Sequence, residues 1–134
     1  MFSNIPNPKK EINPDSKFKL FGYDIDLTND VSGMMFLDVM TDKFSEAVEE
    51  AEKRREYSIA DKLNNLGGML LSLAQVAYTY SDPLFRNHTS KTLEVIMLKK
   101  EELLSKAALY EIPEEVSKIV NFILDYYHIT FHNS

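Results

Sequence analysis

Cysteine is missing from all 134 residues, which excludes disulfides, thiolate nucleophiles and cysteine metal sites. Glycine is scarce, occurring only at positions 22, 33, 67 and 68, so neither a phosphate-binding loop nor the dinucleotide fingerprint can be assembled. With three histidines, no serine–histidine–acid order is recognisable. Long apolar runs are also lacking. The longest uncharged stretch, Leu63 to Ser81, contains Asn64, Asn65, Gly67, Gly68, Ser72 and Gln75 and is too polar to span a bilayer. Met1 to Lys10 has no apolar centre of the kind a signal peptide needs. The expectation is a soluble, cytoplasmic protein with no membrane association. The sequon Asn87-His88-Thr89 has no glycosylation role in that setting.

What is present is the material of one domain. A chain of this length buries roughly two-thirds of its unfolded surface without covalent staples. The net charge of −6 is unevenly spread. Residues 1–28 carry four acids and four bases, and residues 82–111 carry five of each. Residues 29–57 carry eight acids against four bases, and residues 112–134 three against one. This distribution disfavours a phosphate-binding surface and hence nucleic acid. It favours a protein partner with a basic surface.

Residues 1–17 combine prolines 6, 8 and 14 with asparagines 4, 7 and 13, a composition that resists both helix and strand. Phe18 to Leu27 alternates apolar and polar, with Gly22 shifting the phase, and predicts a short extended segment with a bulge. From Asn29 the period changes. Val31, Met34, Leu37, Phe44, Val48 and Ala51 recur at helical spacing, with Asn29 or Asp30 as cap. Ser58 and Asp61 resemble a capping box opening a second helix with the face Ile59, Leu63, Leu66, Leu70, Leu73, Ala77 and Tyr80. Asp82 and Pro83 suit the start of a third, on which Leu93, Ile96, Met97, Leu103, Leu104 and Ala107 line up. Ile112-Pro113-Glu114-Glu115 places proline and two acids in a first turn, followed by Val116, Ile119, Val120, Ile123 and Tyr127. The fold expected is all-α: an extended N-terminal arm over 1–28 and a four-helix antiparallel bundle over 29–134.

The second helix carries no charge for 19 residues, Leu63 to Ser81, and is apolar on several sides. Met69, Leu71, Val76 and Tyr78 lie off its main face, which predicts a homodimer interface through them. Gly67 and Gly68 either permit close backbone approach or mark a kink. Leu63-Asn64-Asn65-Leu66-Gly67, with Ala60 before it, resembles the first helix of a tetratricopeptide repeat over about ten residues. No equivalent recurs about 34 residues away, as stacked repeats require.

The best candidate for metal chemistry is Asp125, His128 and His132, whose spacings place them along one helical face and suit a divalent metal. Asp24-Ile25-Asp26 opens like a calcium loop, but Asn29 stands where glycine is needed and Met35 where the closing glutamate is needed. Glu46, Glu49 and Glu50 resemble the carboxylate clusters of all-α nucleotide pyrophosphatases, without that family's second acidic motif. A solvated face tied to Lys53 and Arg54 is the simpler reading.

Elimination leaves a non-catalytic protein–protein interaction module, an accessory factor, adaptor or inhibitor acting on a larger complex, such as a phage or plasmid protein acting on a host assembly. Its expected contacts are the aromatic residues Phe18, Phe21 and Tyr23 and the acids Glu46, Glu49 and Glu50, with no cofactor. The competing expectation is a small metal-dependent enzyme using Asp125, His128 and His132.

Overall fold

A computed structural model of the chain describes residues 16–28, 30–81 and 89–129. Two short strands open it, β1 (Lys17–Leu20) and β2 (Tyr23–Asp26). They pair antiparallel, with Lys17 opposite Asp26 and Leu20 opposite Tyr23. The phase shift at Gly22 is therefore a hairpin turn and not a bulge. Phe21 (φ 55°) and Gly22 (φ 90°) are both left-handed, the twist that a two-residue hairpin loop requires. Alternation then puts Phe18, Leu20, Tyr23, Ile25 and Leu27 on one face, and all five are buried. A two-stranded hairpin is marginal alone, so its stability comes from that face. It lies on the helices, and this part of the expected arm is an integral piece of the core.

Among the described residues four helices follow: α1 (Gly33–Lys53), α2 (Tyr57–Ser81), α3 (Thr89–Leu109) and α4 (Pro113–Tyr126). The protein is mainly α-helical with one small sheet. The cap of α1 is Ser32, whose hydroxyl accepts from the Met35 amide at 3.3 Å, and not Asn29 or Asp30. Asp30 instead donates its amide to Thr28 Oγ1 at 3.1 Å, while Asn29 lies outside the described residues. The buried face of α1 is Phe36, Met40, Phe44, Ala47 and Ala51. It is rotated from the expected one, leaving Met34 63% exposed. Ser58 falls inside the first turn of α2 and is not its cap. The expected cap Asp82 and first residue Pro83 of the third helix lie outside the described residues. Pro113, Glu114 and Glu115 stand in the first turn of α4 as expected.

Three helices end in the same way. Beyond α1, Arg55 is left-handed (φ 63°), its amide reaching Glu52 O at 2.9 Å and the Glu56 amide reaching Ala51 O at 2.8 Å. Beyond α3, Glu111 (φ 65°) bonds Ala108 O at 3.1 Å and Ile112 bonds Ala107 O at 2.9 Å. Beyond α4, His128 (φ 59°) bonds Asp125 O at 3.0 Å and Ile129 bonds Leu124 O at 2.8 Å. These paired bonds satisfy the last carbonyls in the Schellman pattern, whose left-handed residue is usually glycine.

α2 is central, packing against α1, α3 and α4. These three partners cover several of its apolar sides. Its closest approach is at Gly67, where an added Cβ would sit 2.8 Å from Cγ and Cδ1 of the Phe44 ring. At the other end of α1, Phe36 stacks on Tyr126 (centroids 4.2 Å) and meets Tyr127 edge-on (5.9 Å). Tyr127 donates to Gly33 O at 2.7 Å, and Tyr126 donates to Val31 O. Burial holds both phenols above their usual range, with Tyr126 and Tyr78 adding to the effect on Tyr127. Among the described residues no helix is long and apolar enough to cross a membrane.

Two outcomes follow for stability. Gly67→Ala gains helix propensity of about 1 kcal/mol but overpacks the Phe44 ring at a cost of about 1–3 kcal/mol, so urea unfolding should show a net loss. Gly68→Ala meets nothing within 4 Å and should gain about 1 kcal/mol. As for pH, unfolded tyrosine titrates near about 10, below the raised folded values. The contribution of Tyr126 and Tyr127 is therefore complete below about pH 10 and is lost as pH rises through the folded values. Urea titrations across pH should show an alkaline fall in stability that is shallower in Tyr127→Phe than in the parent protein.

Candidate functional site

α1 and α2 diverge around the Gly67–Phe44 contact and leave an open groove of about 250 Å³. Met40, Thr41, Phe44 and Ser45 line it from α1, and Asn64, Gly67, Gly68 and Leu71 from α2. The lining is uncharged on both walls, and the charge lies outside it on α1. On α1 the positions 38, 42, 45, 49 and 52 follow helical spacing and form one exposed row: Asp38, Asp42, Ser45, Glu49 and Glu52. Ser45 is the member of the row that lines the groove, and Asp38 and Glu49 stand one helical turn from the lining residues Thr41 and Ser45, on the outer side of α1. Among the described residues none of these four acids is in an ion pair, whereas Glu46 pairs with Lys43 (3.8 Å) and Glu50 with Arg54 (3.1 Å). On α2 the exposed residues beyond Leu63 are Asn64, Asn65, Gly68, Gln75 and Thr79, all uncharged.

The expected contact residues divide. Glu46 and Glu49 are exposed and Glu50 half-buried on α1, where their spacing placed them. Phe18 and Tyr23 are not available to a partner, being only 7% and 6% exposed. Phe18 meets Phe122 edge-on at 5.5 Å, and Tyr23 donates to the Glu56 carboxylate, which raises its phenol pKa. Their alternation pointed to one apolar face, and that face belongs to the core. Phe21, half-buried in the turn, leans on Tyr110 (6.1 Å) beneath Lys62 Nζ (5.6 Å). Met69, Leu71, Val76 and Tyr78 are half-buried against the chain's own core.

The metal candidate loses its helical premise. α4 ends at Tyr126, so Asp125 is in its last turn, and His128 stands beyond it in the left-handed position. His132 lies outside the described residues. Among the described residues no three His, Cys, Asp or Glu side chains are placed to hold a metal ion. Nor is any polar or charged side chain buried there, so no cleft with desolvated acid–base groups is formed.

A second open surface lies on α3, where Leu98 (60% exposed) and Leu109 (76% exposed) flank a shallow depression shared with Met69 and edged by Glu101, Glu102 and Lys106. The acidic row is readable from its 4-3-4-3 spacing, but the denser triplet Glu46-Glu49-Glu50 masks it, and the groove leaves no mark in the sequence. Comparison with protein families, curated proteins and solved structures returned no match. Because Phe18 fills the core, Phe18→Ala should destabilise the fold by about 3–5 kcal/mol in chemical denaturation, where a surface anchor would change it little.

Proposed function

We propose that this chain is a non-catalytic interaction module, an accessory factor, adaptor or inhibitor built on an antiparallel helical bundle, that engages a protein partner with a basic surface. The observation that carries this is the exposed row Asp38, Asp42, Glu49 and Glu52, unpaired within the described chain. Like charges at i, i+4 destabilise a helix by about 0.2–0.5 kcal/mol per pair, and Asp38 with Asp42 is such a pair. The first turn of α1 contains no acid, and Glu52 stands in its last turn, where the helix dipole disfavours negative charge. Helix formation therefore does not account for Asp38, Asp42 or Glu52, and Glu49, though spaced i, i+4 from Lys53, is not paired with it. A cationic partner surface does account for it, because opposed potentials steer association and fix register. The basic partner is assigned to the outer side of α1, and the homodimer contact proposed through Met69, Leu71, Val76 and Tyr78, which are half-buried, is a separate surface.

The test is a comparison of two baits, the parent protein and Asp42→Lys/Glu49→Lys, in affinity capture from the source cell followed by reconstitution with the captured protein. Binding by the double variant should fall by at least about tenfold, with circular dichroism unchanged, and parent binding should weaken steeply as salt shortens the Debye length below about 10 Å. A partner held equally by both baits would refute the reading.

A further inference from the structure

Gly68 is the residue that the fold of this chain does not explain. Its neighbour Gly67 is required, since any side chain there would strike the Phe44 ring. Gly68 is exposed, lies in the interior of α2 and has open space where a Cβ would be. Its backbone is not left-handed, so the conformational freedom of glycine is not needed. A glycine here costs about 1 kcal/mol against alanine with no return from the chain's own packing. What its missing side chain provides is access, because Gly68 helps to line the open groove between α1 and α2.

We infer that this groove receives an amphipathic helix from the partner protein, with the partner helix's apolar side chains seated over Gly68 between Thr41 and Leu71 and its lysines or arginines set against Asp38, Asp42 and Glu49. The inference rests on the basic-partner reading above and specifies how that partner docks. Three features select this occupant. The groove lies between two helices, a surface of ridges into which another helix packs. Its volume of about 250 Å³ is below the roughly 300–1,000 Å³ of small-molecule pockets and suits side chains. The acidic row runs from Asp38 to Glu52 on the outer side of α1, about 21 Å at the helical rise, and passes the groove at Ser45, which suits a partner helix of about four turns carrying its cations on one side. The α2 residues that line the groove (Asn64, Gly67, Gly68 and Leu71) are uncharged, so apolar side chains seated there meet no charge that must be desolvated.

A second copy of the chain is disfavoured as occupant. A two-fold contact through this groove would set one acidic row against the other in a chain of net charge −6.

The test uses the full chain and synthetic peptides of about 18 residues, long enough to hold helix. One peptide has leucine at i, i+3, i+4 and i+7 with lysine elsewhere; a second has glutamate in place of lysine; a third keeps lysine and replaces leucine with serine. Affinity is read by calorimetry and location by amide chemical shifts. The lysine–leucine peptide should bind, with shifts concentrated in residues 38–49 and 64–71, and the other two should bind at least about tenfold more weakly. Gly68→Leu fills the groove from an open position and should weaken binding at least about tenfold while circular dichroism is retained. Asp42→Lys/Glu49→Lys should do the same.

If Gly68→Leu binds as the parent does while the charge variant fails, the groove inference falls and the acidic-face reading stands. If neither variant weakens binding, or the lysine–leucine peptide does not bind, both fall. Shifts at the same residues that appear on concentrating the protein alone identify a second copy as the occupant and overturn the inference.

Discussion

The contact between Gly67 and the Phe44 ring sets the geometry on which the rest of the molecule depends. At this point the backbone of α2 comes closer to α1 than any side chain would allow. The close approach brings the buried face of α1 (Phe36, Met40, Phe44, Ala47, Ala51) against Leu63, Leu66, Leu70 and Leu73. Beside it the two helices open into the groove. One residue without a side chain thus serves both a close helix–helix contact and the concavity it lines.

With α1 and α2 joined, the remaining elements close on them from two directions. The hairpin lays Phe18 against Phe122 and anchors the Lys19 amide on Glu115 at 3.3 Å. The end of α4 returns to the start of α1, where two tyrosine hydroxyls donate to the Val31 and Gly33 carbonyls and Phe36 stacks on Tyr126. The aromatic side chains do what disulfides do in smaller domains: they tie segments more than ninety residues apart in sequence. Their hydroxyls also satisfy carbonyls at an otherwise apolar junction.

Helix existence and type were legible in the sequence because the 3.6-residue period survives every local irregularity. Helix boundaries were less so, for one physical reason repeated three times. The chain reverses at Arg55, Glu111 and His128, left-handed residues with side chains that cost about 1–2 kcal/mol where glycine would signal the stop. His128 drew attention as a metal ligand for the same reason, since nothing in its type marks it as the residue just past a helix end. The rotated face of α1 has another cause. Met34, Leu37 and Val48 share the helical spacing of the core residues, and only the position of α2, set at Gly67, decides which stripe is covered. The hairpin was half legible. Alternation on both sides of Gly22 was plain, but Phe21 is an unusual residue for a left-handed turn position.

The candidate site was legible as acidity and illegible as shape. Local preferences in a folding sequence mostly agree with the fold, and places where they disagree without internal benefit are where function is sought. Two such disagreements occur here. Gly68 weakens a helix that has room for alanine, and Asp38, Asp42, Glu49 and Glu52 repel one another along a helix that ends at its negative pole. Either one alone would be a tolerable imperfection. Gly68 lines the groove and the acids flank it on the outer side of α1, and both could be removed without touching a buried side chain. A partner that needs access at Gly68 and negative charge along α1 accounts for both costs at once. An amphipathic cationic helix is the simplest object with those two requirements on adjacent faces.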